Sequence, residues 1–167
     1  MKKSNFIVLF ITILSLFILS SALTAQTRYA VLPFQNMEGK INLNIWCYRL
    51  QDSVQKAVVA LDPEQKHIQM VPVDEVEDLL AELNLDPTNP QYPTDMWKAV
   101  QTLNVEKVIT GNFYIRANKL LINAYVYDVR TKMADPRHQA KNIFKKEEDG
   151  LTAVNIIVKK LKPLLIP

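Results

Sequence analysis

The chain has few of the residues that build catalytic and metal sites. Its 167 residues include one cysteine, two histidines and three glycines. Cys47 has no second cysteine to pair with, so the fold must depend on its hydrophobic core rather than on a disulfide. The glycines, at positions 39, 111 and 150, are too far apart for a phosphate-binding loop. His67, His138 and Cys47 lack the spacing of metal ligands. The sequence therefore predicts neither a cofactor nor a metal.

Serine is equally scarce, which bears on hydrolytic catalysis. Ser53 is the only serine after residue 25, and it lies in a predicted helix beside Asp52. Catalytic serines normally occupy strained turns, so we interpret Ser53 as an ordinary helix residue and expect no triad with either histidine. An acidic set at residues 74–78 suits either a cation or the positive end of a helix dipole, and the helix is the favoured interpretation. Together these absences predict a protein that is not an enzyme.

Residues 1–25 have the pattern of a secretion signal. Lys2 and Lys3 precede an apolar run at residues 6–19, and small residues follow it. The run is shorter than the roughly 20 residues that span a bilayer, which favours cleavage over retention as a membrane anchor. We predict cleavage after Ala25, with Ala22 as the second choice. No cysteine is present there for lipid attachment.

Cleavage would leave residues 26–167 as one domain of 142 residues. The formal net charge would fall from +3 to +1, because both lysines of the signal are lost. A net charge this close to zero gives no reason to expect a nucleic-acid partner. We predict a periplasmic or secreted protein, without membrane insertion after cleavage, that is soluble or held at the outer membrane by a partner.

Hydrophobic patterning predicts a mixed order of strands and helices. Apolar runs indicate strands at residues 28–34, 67–72, 106–115, 119–129 and 138–144. Amphipathic spacing indicates helices at residues 45–61, after Asp74, after Thr94 and at residues 151–164. A helical connection favours a parallel first pair of strands, and the short turn at residues 116–118 favours an antiparallel hairpin. The expected fold is a single-domain α/β sandwich, a mixed β-sheet with packed helices.

Several local details accompany this prediction. Residues 35–44 and 86–93 are predicted loops, Asp74 is expected to form a capping box with Glu77, and Thr94 is expected to cap the third helix. On the first helix, the residues expected to face the core are Cys47, Leu50, Val54, Val58 and Leu61. Those expected to face away are Arg49, Asp52, Gln55 and Lys56.

The order of four segments resembles a known family. These are YAVLPFQNMEG, VVAL, LNVEKVITGNF and KLLINAYVYDVRTK, within residues 28–132. An opening strand ending in Leu32-Pro33-Phe34, a strand closing on Gly111 and a hairpin ending in Asp128 resemble the TolB amino-terminal-like family, related to CsgG, FlgO and LpoB. The resemblance implies a mixed α/β fold and a cell-envelope location. The chain lacks the lipid-anchoring cysteine of CsgG and LpoB and the propeller domain of TolB, so no partner or pathway is implied.

Two features indicate a binding surface. In the second hairpin strand, Leu120, Ile122, Ala124 and Val126 suit the core, and they alternate with Leu121, Asn123, Tyr125 and Tyr127. The second set has a polar-aromatic composition typical of interfaces, unless helices cover both faces and bury the tyrosines. The proline-rich loop at residues 86–93, leading to Trp97, is either a stiff docking loop or a passive connector. The candidate partner-binding residues are Asn123, Tyr125, Tyr127, Tyr92 and Trp97.

The function predicted from these features is that of a secreted, non-catalytic envelope protein. It would bind another protein in an assembly, transport or secretion machinery. The alternative is a periplasmic enzyme or small-ligand-binding protein. That alternative requires a deep polar pocket lined by acidic residues and by His67 or His138.

Overall fold

The computed structural model describes residues 26–166. The strands are β1 (Thr27–Val31), β2 (Gln35–Asn36), β3 (Ile68–Met70), β4 (Lys107–Arg116), β5 (Lys119–Asp128) and β6 (Met133–Lys145). The helices are α1 (Ile45–Val59), α2 (Val73–Glu82), α3 (Tyr92–Thr102) and α4 (Ala153–Leu165), and 3-10 turns at Ile41–Leu43 and Glu147–Thr152 precede α1 and α4. The predicted secretion signal lies outside the described residues. Within residues 26–166, no helix combines the length and apolar character that crossing a bilayer requires.

The six strands form one mixed sheet in the order β3-β1-β4-β5-β6, with β2 beside β4. β1 runs parallel to both β3 and β4. β4 and β5 form an antiparallel hairpin, and β6 pairs antiparallel with β5. The hairpin turn is Ala117-Asn118, and both residues have positive φ, as a two-residue turn between twisted strands requires. The predicted α/β fold with a mixed sheet is therefore confirmed.

Helices pack on both faces of the sheet, but they cover it unequally. One hydrophobic cluster joins α1 and α4 to the inward residues of β1, β4, β5 and β6, including the predicted core set of the hairpin. The other cluster joins α2 and α3 to Ala30, Leu32 and Val108. Among the described residues, the buried members of this second cluster include none from β5 or β6. The β5–β6 part of that face is therefore only partly covered.

The opening segment was expected to be one strand to Phe34 followed by a loop. Instead, β1 ends at Val31 and pairing resumes at β2, where Gln35 and Asn36 lie beside Asn112 and Phe113 of β4. Pro33 has no N–H to donate, so it interrupts the ladder without ending it. The predicted loop therefore contains a short strand, which brings Gln35 close to the sheet face near α3.

The two predicted helix caps are wrong. α2 begins at Val73 after Pro72, and α3 begins at Tyr92, with neither helix capped by a side-chain hydrogen bond. Pro93 lies in the first turn of α3, where a missing N–H breaks no helical bond. The predicted loop at residues 86–93 consequently ends two residues early, and Tyr92 is a helix residue.

One polar residue of α1 was also placed on the wrong side. Cys47, Leu50, Val54 and Val58 are buried as predicted. Gln55 is buried too: its Nε2 donates to the Val71 carbonyl at 3.0 Å. The fully buried Gln51 donates in the same way to Val31, also at 3.0 Å. Long amide side chains can enter a core when they satisfy carbonyls at strand ends, which helical spacing does not show.

The last strand is longer than its predicted extent of residues 138–144. β6 runs over 13 residues, with two irregularities in its pairing to β5. Asn142 has a φ of +57°. These irregularities break the period-2 alternation that identifies a strand from its sequence.

Candidate protein-binding surface

The two predicted binding features meet in the folded protein. Tyr125 and Tyr127 of β5 line one small cavity together with Tyr92 of α3. The Trp97 ring packs edge-on against the Tyr127 ring, with 5.9 Å between ring centroids. The Tyr125 and Tyr127 rings are 6.0 Å apart. We call these four residues the polar-aromatic surface.

Helices cover the hairpin tyrosines only in part. Both Tyr125 and Tyr127 are half-buried. α3 reaches the sheet on this side and places Trp97 against Tyr127, whereas the hydrophobic cluster that α2 and α3 form includes no β6 residue among residues 26–166. Burial raises the pKa of both phenols, and neighbouring tyrosines raise it further. Both side chains therefore keep their protons at neutral pH and remain hydrogen-bond donors.

Asn123 lies beneath this surface rather than on it. Its side chain is only slightly accessible, with the residue 9% exposed. Its Nδ2 donates to Asn112 Oδ1 at 2.9 Å, and its Oδ1 accepts from the Asn142 backbone N–H at 2.9 Å. Asn123 thus connects β4, β5 and β6 and keeps the strands carrying the tyrosines in register.

The proline-rich loop is tied to the β2 segment. The Asn36 backbone N–H donates to the Pro87 carbonyl at 3.2 Å, and Gln35 Nε2 donates to the Asn89 carbonyl at 3.4 Å. Within the loop, Asp86 and Asn89 accept from backbone N–H groups two residues ahead, as Asx turns do. These bonds, together with the prolines, hold the loop in a defined conformation.

A groove separates this loop from the β2 segment. Its volume is about 440 Å³, and its lining includes Met37, Gly39, Pro90 and Pro93. Met37 is 57% exposed. Gln35 and Pro93 line both this groove and the small cavity beside the tyrosines, so the two depressions adjoin.

Two lysines border the aromatic rings. Lys132 Nζ lies 5.6 Å from the centroid of the Trp97 ring, and Lys141 Nζ lies 5.7 Å from that of Tyr125. These distances are in the range of cation–π contacts. Sequence analysis missed both lysines, as well as Gln35 and Met37. Lys141 lies on the irregular part of β6, where alternation gives no reliable facing.

Tyr92 occupies the floor of this region. The residue is 2% exposed, and burial raises the pKa of its phenol strongly. No protein group among the described residues forms a hydrogen bond with its hydroxyl. The cavity that it lines has a volume of about 50 Å³.

The residues considered for catalysis do not converge. Ser53 is half-buried on α1, while His138 on β6 pairs with Asp135, Nδ1 to Oδ1 at 3.0 Å. The backbone N–H of His67 donates to Asp62 at 2.7 Å. Neither histidine lines the cavity or the groove of the candidate surface. Within residues 26–166, no group of three or more His, Cys, Asp or Glu side chains has metal-binding geometry.

A larger groove lies on the other side of the sheet, between α1 and the turn before α4. Its volume is about 540 Å³, and it is lined by Trp46, Arg49 and three consecutive acids, Glu147, Glu148 and Asp149. No histidine lines it. Cys47 is fully buried, and burial raises the pKa of its thiol to about 11, which is typical of an unreactive structural cysteine.

Comparisons with known proteins bear on the fold. No protein-family model matches the chain, and no curated protein matches it. Among solved structures, the LpoB C-terminal domain from Salmonella enterica is 17% identical over 72% of this chain and 84% of that chain, with a TM-score of 0.43. Lipoprotein GNA1162 from Neisseria meningitidis is 17% identical over 81% of this chain and 96% of that chain, with a TM-score of 0.47. TolB from Acinetobacter baumannii is 16% identical over 86% of this chain and 30% of that chain, with a TM-score of 0.35.

These structures include LpoB and TolB, two of the proteins that the sequence resemblance names. Every identity is below 25% and every TM-score is below 0.5. The likenesses therefore say nothing about what this chain binds.

Proposed function

We propose that this chain is an exported, non-catalytic envelope protein that binds another protein through the polar-aromatic surface. One observation carries the proposal: two separate sequence features, the hairpin tyrosines and the start of α3, form one continuous surface beside a tied loop. Half-buried aromatic rings are frequent anchors of protein interfaces. The bound protein would belong to an assembly, transport or secretion machinery of the cell envelope.

The surface has two physical properties suited to docking. Its rings are held by packing and its loop by hydrogen bonds, so little conformational entropy remains to be lost on binding. Lys132 and Lys141 give it a positive border, which favours a partner with an acidic patch and speeds association.

The location follows from residues 1–25, whose pattern supports export. The mature protein would be periplasmic or secreted, or held peripherally at the outer membrane by its partner. Neither the charge balance nor the surface suggests a nucleic-acid partner, and the proposal includes no cofactor.

The test is a pull-down from envelope extracts with matched variants of the exported protein. Tyr125→Ala with Tyr127→Ala should weaken capture of the specific partner by 10-fold or more, because aromatic anchors commonly contribute about 2 kcal/mol each. Leu151→Ala is the control: Leu151 is 42% exposed beside α4, on the opposite side of the sheet. Circular dichroism must show that the double variant is folded, because Tyr127 also packs on Trp97.

A charge reversal tests the same surface without removing a packed ring. Lys141→Glu should weaken capture and slow association, whereas Lys160→Glu, the same change on the exposed side of α4, should do neither. The proposal would be contradicted if the folded Tyr125→Ala, Tyr127→Ala double variant and the folded Lys141→Glu variant captured as much partner as the wild type does.

A further inference from the structure

Leu121 of β5 is fully buried, although it lies on the side of the sheet that α1 and α4 do not cover. Its neighbours Leu120 and Ile122 belong to the cluster that α1 and α4 form, and alternation along the strand places Leu121 on the opposite face. Across residues 26–166, neither hydrophobic cluster includes Leu121. We therefore attribute its burial to side chains of the adjacent strands rather than to a helix.

Those adjacent side chains form an apolar row across three strands. Tyr114 of β4 pairs with Leu121 on one side, and Phe144 of β6 pairs with it on the other. Residues that are directly opposed on neighbouring strands share one face of the sheet. Phe144 is 44% exposed, and Tyr114 is half-buried. The row therefore ends in a large ring that is open to solvent, which is typical of an interaction site when it adjoins further apolar surface.

The row continues the polar-aromatic surface. Burial, and then the proximity of Tyr114, raise the pKa of the Tyr125 phenol, so the two rings are close neighbours. Tyr125 in turn adjoins Tyr127. Six residues of β5 separate Leu121 from Tyr127, which is about 20 Å at the rise of a β-strand. We call the β5–β6 face from Tyr127 to Phe144 the uncovered strip, and its two strands make it about 10 Å wide.

These dimensions fit one α-helix. A helix with its side chains is about 10–12 Å across, and a length of 20 Å corresponds to about 13 residues. Sheets of α/β domains bury their faces under helices, as α2 and α3 do over β1 and β4 on this side. A strand added beside β6 is less favourable, because the irregular pairing of this edge strand, Pro136 and Lys141 discourage further pairing.

The border of the uncovered strip is positively charged. Lys132 and Lys141 lie beside the Trp97 and Tyr125 rings. Acids on the flanking segments are already paired: Glu38 with Lys40, Asp95 with Lys98, and Asp135 with His138. A helix whose apolar stripe is bordered by acidic residues would therefore match this face better than one bordered by basic residues.

We propose that the uncovered strip receives one amphipathic helix of the partner protein, which packs beside α3 and covers Phe144. The inference rests on the proposed function and specifies the element that the partner supplies. The helix has three to four turns, apolar residues spaced as on one helical face, and Asp or Glu at its margins near Lys132 and Lys141. Docking extends the layer of α2 and α3 over the rest of the sheet.

Photo-crosslinking in the envelope identifies what lies on the strip. The photoreactive residue p-benzoylphenylalanine replaces Phe144 in the exported protein, and mass spectrometry locates the segment that light attaches to it. The same replacement of Leu151 is the control, because Leu151 is 42% exposed on the opposite side of the sheet. The segment linked at position 144 and not at position 151 is then synthesised as a peptide.

That peptide should bind the protein with a Kd of about 1–100 µM and gain helical circular dichroism as it binds. Proline at the centre of the peptide should weaken binding by 10-fold or more, whereas proline in its first turn should be tolerated. Phe144→Glu should weaken binding of the unmodified peptide by 10-fold or more, and Leu151→Glu should leave it unchanged. Both substituted residues are exposed, so both variants should remain folded, which thermal denaturation checks.

Several results would overturn the inference. They are the absence of a crosslink specific to position 144, a crosslink there to a second copy of this chain or to lipid, binding of the peptide without a gain of helix, tolerance of the central proline, or equal peptide binding by Phe144→Glu and Leu151→Glu. Any of these results, if Tyr125→Ala with Tyr127→Ala still loses the partner, refutes the docked helix alone. A helix that binds at Phe144 while those tyrosine variants keep full capture of the same partner refutes the proposed function instead.

Discussion

Replacing Gly111 with alanine should damage the sheet more than replacing another glycine. Gly111 lies in β4 opposite Ala124 of β5. A Cβ at this position would stand 1.9 Å from the Asn123 carbonyl oxygen and 2.7 Å from Cε1 of Phe34. The carbonyl belongs to the backbone of the neighbouring strand, and Phe34 is fully buried in the core. Neither obstacle can be removed by rotating a flexible side chain.

The expected loss of stability follows from the groups that an added methyl group would displace. Separating β4 from β5 at this point breaks one or two ladder hydrogen bonds, at about 1 kcal/mol each. Displacing Phe34 adds an overpacking term of about 1–3 kcal/mol. We therefore expect Gly111→Ala to lower the free energy of unfolding by about 2–5 kcal/mol, a large share of the roughly 5–15 kcal/mol typical of a domain.

Urea denaturation followed by circular dichroism measures this change, with an unchanged slope confirming two-state unfolding. Gly39→Ala is the matched control: Gly39 has a φ of +72° and no heavy atom within 4 Å of an added Cβ. Only backbone strain of about 1–2 kcal/mol is expected there. A Gly111→Ala variant within about 1 kcal/mol of the wild type, or no less stable than Gly39→Ala, would show that the two strands yield easily at this position.

Three further predictions concern stability, pH and processing. Cys47→Ser should lower the free energy of unfolding by about 1–3 kcal/mol, because it buries a hydroxyl among apolar groups; a thiol probe should label native Cys47 slowly, and rapid labelling without denaturant would contradict its burial. The hydrogen bond from Lys107 lowers the pKa of Asp128 from 3.8 to about 2, so its stabilisation is present above about pH 4 and is lost as the pH falls through 2. Asp128→Asn should therefore flatten acid unfolding over that window, by on the order of 1 kcal/mol after solvent screening, and an unchanged pH profile would refute the pairing. Intact-mass analysis of the exported protein should place the mature N-terminus between Leu23 and Arg28, whereas a membrane-bound species that retains residues 1–22 would refute cleavage.

The amino-acid sequence by itself determined the order and type of the main elements. Apolar runs and helical spacing located four helices and the hairpin, and alternation in β5 identified Leu120, Ile122, Ala124 and Val126 as core residues, all of which are buried. These predictions succeed because periodicity is a local property: it reports which side of a strand or helix is apolar.

Local sequence patterns did not predict burial or strand pairing where these depend on residues that are distant in the chain. Gln51 and Gln55 look like solvent residues by type, but each is buried because a strand-end carbonyl lies within reach of its amide. β2 exists because β4 is available beside it after Pro33. β6 is long because β5 pairs with it across irregularities that hide its alternation.

The same distinction between local pattern and long-range packing applies to the candidate site. Tyr92, Trp97, Tyr125 and Tyr127 were all selected from composition, yet as members of two unrelated features about 30 residues apart in the chain. Only the packing of α3 against the hairpin brought them together and set Lys132 and Lys141 at the edge. Residue types are fixed by the sequence, but which side chains share a cavity is decided by long-range packing, and that information is not contained in any local pattern.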